Sequence, residues 1–165
     1  MKDVSIHISV RSYSYDELPE ADRRLVDAAK RATFTSYVPY SRFCVGAAIA
    51  MAGGDVVSGS NQENAAYPSG ICAERATVWQ AASRYPGEGM RTIAIAARCP
   101  EQYPEGTPAD RCFQRRPISP CGACRQTLLE YEHLYGDIRV LLYGEDEVYE
   151  FPSVASLLPY CFTDF

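Results

Sequence analysis

No stretch of this sequence is long and apolar enough to span a bilayer, and Met1 to Arg11 carries no apolar core of the kind that directs secretion. Positive charge is also in deficit. The 16 Lys and Arg stand against 21 Asp and Glu, a net charge of -5, so the chain exerts no long-range pull on phosphate backbones. Basic stretches interleaved with aromatics, the mark of a single-strand binder, are missing as well. Nucleic-acid and membrane partners are thereby set aside, and a cytoplasmic location is expected. There is no internal repeat and no low-complexity tract. Seven cysteines (Cys44, Cys72, Cys99, Cys112, Cys121, Cys124 and Cys161) make an odd number, which suits reduced thiols and a metal site better than a disulfide framework.

What is present fits one globular domain over residues 1–165, with 47% apolar and 22% charged residues. Val4, Ile6, Ile8 and Val10 alternate with polar residues and predict a short N-terminal strand. Ser14 to Asp16 offers helix-start chemistry, and Ala21, Leu25, Ala28, Ala29 and Ala32 fall on one helical face. Cys44 to Met51 reads as a strand buried on both faces, and Gly53-Gly54-Asp55 turns the chain back into Val56 to Ser60. A helix over about Cys72 to Ser83, apolar or small nearly all round, is expected to be central and buried. A strand over Thr92 to Ala97 precedes a polar segment, Cys99 to Pro117, whose four prolines predict a surface excursion outside the core. A helix from Gly122 to about His133, strands over Ile138 to Tyr143 and Val148 to Phe151, and a short helix over Ser153 to Leu158 complete the chain. Strands alternating with helices imply an α/β domain, a three-layer α/β/α sandwich around a mixed sheet.

Two motifs carry chemistry. Cys72-Ala-Glu74-Arg75 sets a thiol two residues from a carboxylate, and Pro120-Cys121-Gly-Ala-Cys124 supplies two more thiols. Three thiolates can hold one Zn²⁺ and leave its fourth tetrahedral position open, as in catalytic sites. Each cysteine falls at or near a predicted helix N-terminus, where unpaired N–H groups stabilise a thiolate. Arg75, one turn after Cys72, is placed to offset the excess negative charge of three thiolates, and Glu74 to act as acid and base. Taken alone, the C-x-x-C fits a redox pair as well as a metal site, and a structural zinc knot would want a fourth ligand. Glu74 alone would be a solvated helix acid. The two motifs together favour the metal reading, because Cys/His-x-Glu followed by P-C-x-x-C resembles the layout of the zinc nucleobase deaminases.

The resemblance extends further. Ser36-Tyr-Val-Pro-Tyr-Ser-Arg-Phe-Cys-Val-Gly-Ala-Ala48, Asn61-Gln-Glu-Asn-Ala-Ala-Tyr-Pro-Ser-Gly-Ile-Cys-Ala-Glu-Arg75, Ile118-Ser-Pro-Cys-Gly-Ala-Cys-Arg-Gln126 and Leu157-Leu158-Pro159 with Phe162 are similar to cytidine deaminases of the short-chain, three-cysteine type. The resemblance implies a five-stranded mixed sheet, one Zn²⁺ per subunit on Cys72, Cys121 and Cys124, and hydrolytic deamination of cytidine and deoxycytidine in pyrimidine salvage. It implies that Asn61 and Glu63 bind the ribose 3′-hydroxyl and that Phe43 packs on the nucleoside. The Ala73 N–H would meet the pyrimidine carbonyl and the Ser119 carbonyl the 4-amino group. It also implies a homotetramer, in which Phe162 either reaches a neighbour's pocket or packs within its own subunit. Without the resemblance, Asn61 reads as a turn residue and Phe43 as core. The N-terminal strand (1–13) and the 99–117 insertion lie outside the family pattern.

Overall fold

The centre of the molecule is a pair of apolar strands, β2 (Cys44–Met51) and β4 (Met90–Arg98), paired antiparallel from Cys44↔Arg98 to Ala50↔Thr92. Nearly every residue in both is buried, as expected of strands covered on two faces. Around them a computed structural model, which describes residues 1–163, places β1 (Arg11–Tyr13), α1 (Glu20–Ala32), β3 (Val56–Ser60), α2 (Ala73–Arg84), α3 (Gly122–Tyr135), β5 (Arg139–Tyr143) and β6 (Val148–Phe151). The sheet order is β1-β6-β5-β4-β2-β3. Pairing is antiparallel throughout except between β4 and β5. The sheet thus has six strands, where the resemblance implied five, because β1 adds itself to the edge of β6.

The alternation of side chains divides the core. Ile49, Ile93, Ile95, Val140 and Leu142 face α2 and α3 with Val78 and Leu128. Ala48, Ala94, Ala96 and Leu141 face α1 through Leu25, Val26 and Ala29. Burying a Leu, Ile or Val contributes about 1.5–3 kcal/mol each. The close approach of α1 requires Gly46, whose Cβ would lie 2.1 Å from the Ala29 carbonyl oxygen and 2.7 Å from the Thr33 nitrogen. Arg98, at the end of β4, is buried and has no carboxylate partner among the described residues; it donates to the Thr33 hydroxyl and carbonyl at 3.0 and 3.3 Å and lies over the Phe34 ring.

Several expectations are corrected. Residues Val4 to Val10 form no strand: pairing begins at Arg11, opposite Glu150, where the edge of β6 becomes available. The helix expected over Ser153 to Leu158 is a single 3₁₀ turn, Ala155–Leu157. Helix α2 is not buried all round; Trp79 remains 48% exposed and Gln80 is exposed beside it, because one layer of sheet covers only one side of a helix. The proline-rich segment is not wholly peripheral either. Cys99, Cys112 and Phe113 are buried, and a bridge between Arg98 and Phe113 returns the segment to the end of β4. There the Phe113 ring meets Tyr143 edge-on at 5.7 Å, and Lys30 lies over Phe113, Tyr143 and Tyr15 at 4.9, 4.6 and 5.4 Å.

Candidate metal centre and active site

Chain direction explains why the motifs meet. Strand β2 runs antiparallel to both β3 and β4, and β4 runs parallel to β5, so β3, β4 and β5 share one direction. The links β3–α2–β4 and β4–α3–β5 therefore bring both helices in from the same end of the sheet and over the same face. Their N-termini lie side by side at the strands' carboxyl ends, the customary place for a site in an α/β sheet. Cys72 is the residue before α2, Cys121 the residue before α3, and Cys124 lies in its first turn.

The sulfurs of Cys72, Cys121 and Cys124 all lie within 4.8 Å of one another, and Cys121 Sγ donates to Cys124 Sγ at 3.4 Å. Zn–S bonds of about 2.3 Å in a tetrahedron set sulfur–sulfur edges of about 3.8 Å, so this triangle fits the ion. The charge distribution agrees. The Cys72 thiol is held down to about 5, first by the hydrogen bond from Cys124 and then by Arg75, whose Nη2 donates to Cys72 Sγ at 3.9 Å. The same bond and burial push Cys124 upward. Three thiols competing for protons in so small a space form a natural cation site. Arg75 Nε is buried with no hydrogen-bond partner among the described residues, and the guanidinium lies 5.9 Å from the Trp79 ring.

Glu74 is buried beside the thiols, 5% exposed, and its carboxyl is pushed up to about 7, chiefly by loss of water and further by Cys72. A carboxyl in this range can both accept and release a proton near neutrality. Ala73 opens α2 and is fully buried, and its N–H is among the first-turn donors that the helix itself leaves unused.

A cleft of ≈ 630 Å³ opens against Cys72 and Arg75, lined also by Tyr40, Ser41, Asn61 and Glu63. The loop behind it is closed by paired bonds between Gln62 and Ile71, each 2.9 Å, which fix the approach to Cys72. Asn61 sits at the rim with its amide engaged: Nδ2 donates to the Phe43 carbonyl at 2.9 Å and Oδ1 accepts from the Val45 N–H at 2.8 Å. Glu63 accepts from the Tyr40 and Ser41 N–H groups at 2.9 and 3.2 Å. The Ser41 hydroxyl foremost, with these backbone bonds, holds its carboxyl below the ordinary range. Both residues therefore pin the Tyr40–Val45 segment to the rim, an organising task that the sequence did not reveal.

Phe43, Ala73, Ser119 and Phe162 lie outside the lining of this cleft. Phe43 is half-buried, Ser119 is exposed, and Phe162 is 66% exposed with its carbonyl accepting from Gln126 Nε2 at 2.9 Å. Sequence reasoning missed Arg125. It donates to the Pro120 carbonyl at 2.8 Å, the Leu157 carbonyl at 2.6 Å and the Ser119 hydroxyl at 2.9 Å, tying the Ser119-Pro120 turn to the C-terminal segment. Its adjacency to Cys124 was the available signal.

Comparison with known proteins agrees with this geometry. Residues 19–135 match the family described as the cytidine and deoxycytidylate deaminase zinc-binding region. The chain is 39% identical to the cytidine deaminase of Halalkalibacterium halodurans over 139 residues, 84% of this chain and 92% of that one. It is 36% identical to the cytidine deaminase of Sporosarcina psychrophila over 140 residues, 85% and 90% of the two chains. Among solved structures, cytidine deaminase from Burkholderia pseudomallei superposes with a TM-score of 0.67 at 36% identity, covering 84% of this chain and 97% of that one. The Mycobacterium tuberculosis enzyme superposes at 0.63 with 31% identity, covering 86% and 96%. The converging thiols, the buried carboxyl beside them and these likenesses make this chain a member of the zinc-dependent cytidine deaminase family.

Proposed function

We propose that the protein hydrolyses cytidine and deoxycytidine to uridine and deoxyuridine with release of ammonia, serving pyrimidine salvage in the cytoplasm. One observation carries the reading: Glu74, buried and held near 7, stands among three cysteine sulfurs that converge on one point. Zinc held by Cys72, Cys121 and Cys124 supplies a Lewis acid that lets water serve as the nucleophile near neutral pH. Glu74 takes a proton from the attacking water and gives it to ring N3 as oxygen bonds to C4. It then moves the proton of the new C4 hydroxyl to the 4-amino group, the C4–N4 bond breaks as the C4 carbonyl forms, and ammonia leaves. One water and one nucleoside thus yield one uridine and one ammonia.

The other residues hold the ring in place. The Ala73 N–H meets the pyrimidine carbonyl, the Ser119 carbonyl accepts from the 4-amino group, and Phe43 packs against the nucleoside. Asn61 and Glu63 face the cleft with one amide hydrogen and one carboxylate oxygen beyond those used in holding the Tyr40–Val45 segment, enough to share a sugar hydroxyl. Arg75 offsets the negative charge of the thiolates. The exposed Phe162, and the incomplete cover of the cleft by a single chain, fit a homotetramer in which a neighbour completes each site.

Ammonia release from cytidine, with cytosine and a short cytosine-containing DNA strand alongside, tests the assignment. Release from the nucleoside alone is expected. Glu74→Gln should retain its zinc and lose about 10²–10⁴ in kcat, the usual share of general acid–base help. Wild-type turnover by this variant would refute the role given to Glu74.

A further inference from the structure

The chain preceding β1 has a composition that its own fold leaves unused. Val4, Ile6, Ile8 and Val10 are 71%, 51%, 48% and 45% exposed, four β-branched residues alternating strictly with polar residues, yet residues 4–10 join no strand. None of the backbone bonds outside regular elements involves residues 1–10 among the described residues. The segment runs directly into β1, which pairs with β6 along one side only and is the terminal strand of the sheet. A continuous edge of unpaired N–H and C=O groups, with one apolar stripe, is built to receive another strand.

We propose that this segment pairs antiparallel with the same segment of a second copy of the chain, about a two-fold axis through His7. The pairing is written in the sequence. With His7 opposite itself, Ile6 faces Ile8, Val4 faces Val10, Ser5 faces Ser9, and Asp3 faces Arg11. All four apolar residues meet apolar residues, and the two charges within residues 3–11 are opposite in sign and directly opposed. A slip of two residues either way breaks this match: Val10 would face Lys2, or Val4 would face Ser12, and Asp3 would lose Arg11. Parallel, in-register pairing would set Asp3 against Asp3 and Arg11 against Arg11. Only the two-fold arrangement satisfies both stripe and charge. It is also isologous and closed, so it yields a pair rather than a fibre. In a strand continued from β1 the two six-stranded sheets would join edge to edge. This contact lies in the extension outside the family pattern and is separate from the catalytic cleft, so it does not depend on the assigned activity.

Thiol cross-linking in the full-length protein reads the register directly, with the wild-type chain, which has its own seven cysteines, as the background. Under mild oxidation by glutathione disulfide, His7→Cys should give a covalent species at twice the 18.3 kDa chain mass on a non-reducing denaturing gel. Ser5→Cys alone should remain at background, because its partner is Ser9, whereas an equimolar mixture of Ser5→Cys and Ser9→Cys should cross-link. Adding Ile6→Asp to His7→Cys should abolish the doubled band, and adding Ile8→Lys as well should restore it. Ammonia release from cytidine should be unchanged in the Ile6→Asp chain. A His7→Cys chain that links no more than wild type overturns the pairing. Equal linking by Ser5→Cys alone and by His7→Cys overturns the register.

Discussion

Replacing Glu132 with alanine should cost this protein about 4 kcal/mol of folding stability, although the residue touches no part of the cleft. The Glu132 side chain, on α3 and buried, accepts three backbone N–H bonds: from Ile138 at 2.9 Å, Val154 at 2.6 Å and Ala155 at 2.9 Å. It thereby satisfies the chain at the entry to β5 and the 3₁₀ turn that follows β6. Ile138 and Val154 are fully buried, so water cannot replace the lost acceptor there. Each orphaned buried donor costs about 1–3 kcal/mol, which for two gives about 4 kcal/mol in total. Ala155 is exposed and its N–H can turn to solvent. Urea unfolding at fixed protein concentration measures the loss. With a slope near 2 kcal/mol/M, the midpoint should fall by about 2 M at unchanged slope. Glu132→Gln provides the control, since its single oxygen can occupy the Oε2 position and keep the bonds to Ile138 and Val154. It should therefore fall much less than Ala. A midpoint shift below about 0.5 M for Glu132→Ala would show that those donors find other partners, and would refute the reasoning.

Gly46→Ala should lower the thermal midpoint by several degrees or prevent folding, since its Cβ would press to 2.1 Å on the Ala29 carbonyl oxygen; an unchanged midpoint would contradict the α1–β2 spacing. Arg125→Ala should raise KM for cytidine more than it lowers kcat while zinc content holds, because it frees the Ser119-Pro120 turn and leaves the ligands in place; metal analysis with steady-state kinetics separates the two. The Tyr15 hydroxyl is pushed up to about 12 by burial and by its bond to Asp27. Folding therefore favours the neutral phenol: this contribution is complete below the ordinary value of 10.0 and is lost as pH rises through about 12. Between pH ~9 and ~11.5 the wild type should accordingly lose more thermal stability than Tyr15→Phe, and parallel losses would argue against it.

The parts of the structure that depend on neighbouring residues were legible in the sequence. Strands β2, β3 and β6 have the bounds that their apolar runs and turn residues predict, and both chemical motifs fall at helix starts as their spacing implies. What escaped the sequence depends on residues far apart. β1 forms at Arg11–Tyr13 because β6, more than a hundred residues later, offers its edge there. Four prolines masked the anchoring role of Phe113, whose burial depends on Tyr143 and α1. The resemblance implies that Asn61 and Glu63 meet a sugar hydroxyl; their bonds to the segment that carries Phe43 depend on residues distant in the chain and have no local signal. Arg125 directly follows Cys124 of the C-x-x-C motif, but its partner at Leu157 lies 32 residues away.

The Arg98–Phe113 bridge gives the proline-rich segment the character of a cassette. Residues 99–112 leave and rejoin the sheet one rung apart, held by the Cys99 N–H to Cys112 carbonyl bond at 3.1 Å and the Gln114 N–H to Ala97 carbonyl bond at 2.9 Å. What passes between those rungs can change length with little effect on where Cys121 and Cys124 arrive. Its ion pair with the cleft-side loop, Glu101 with Arg42 at 3.6 Å, is exposed at both ends and contributes little. Evolution could lengthen or trim this cassette without disturbing the chemistry, and a reporter domain grafted near its tip should leave the deaminase centre intact.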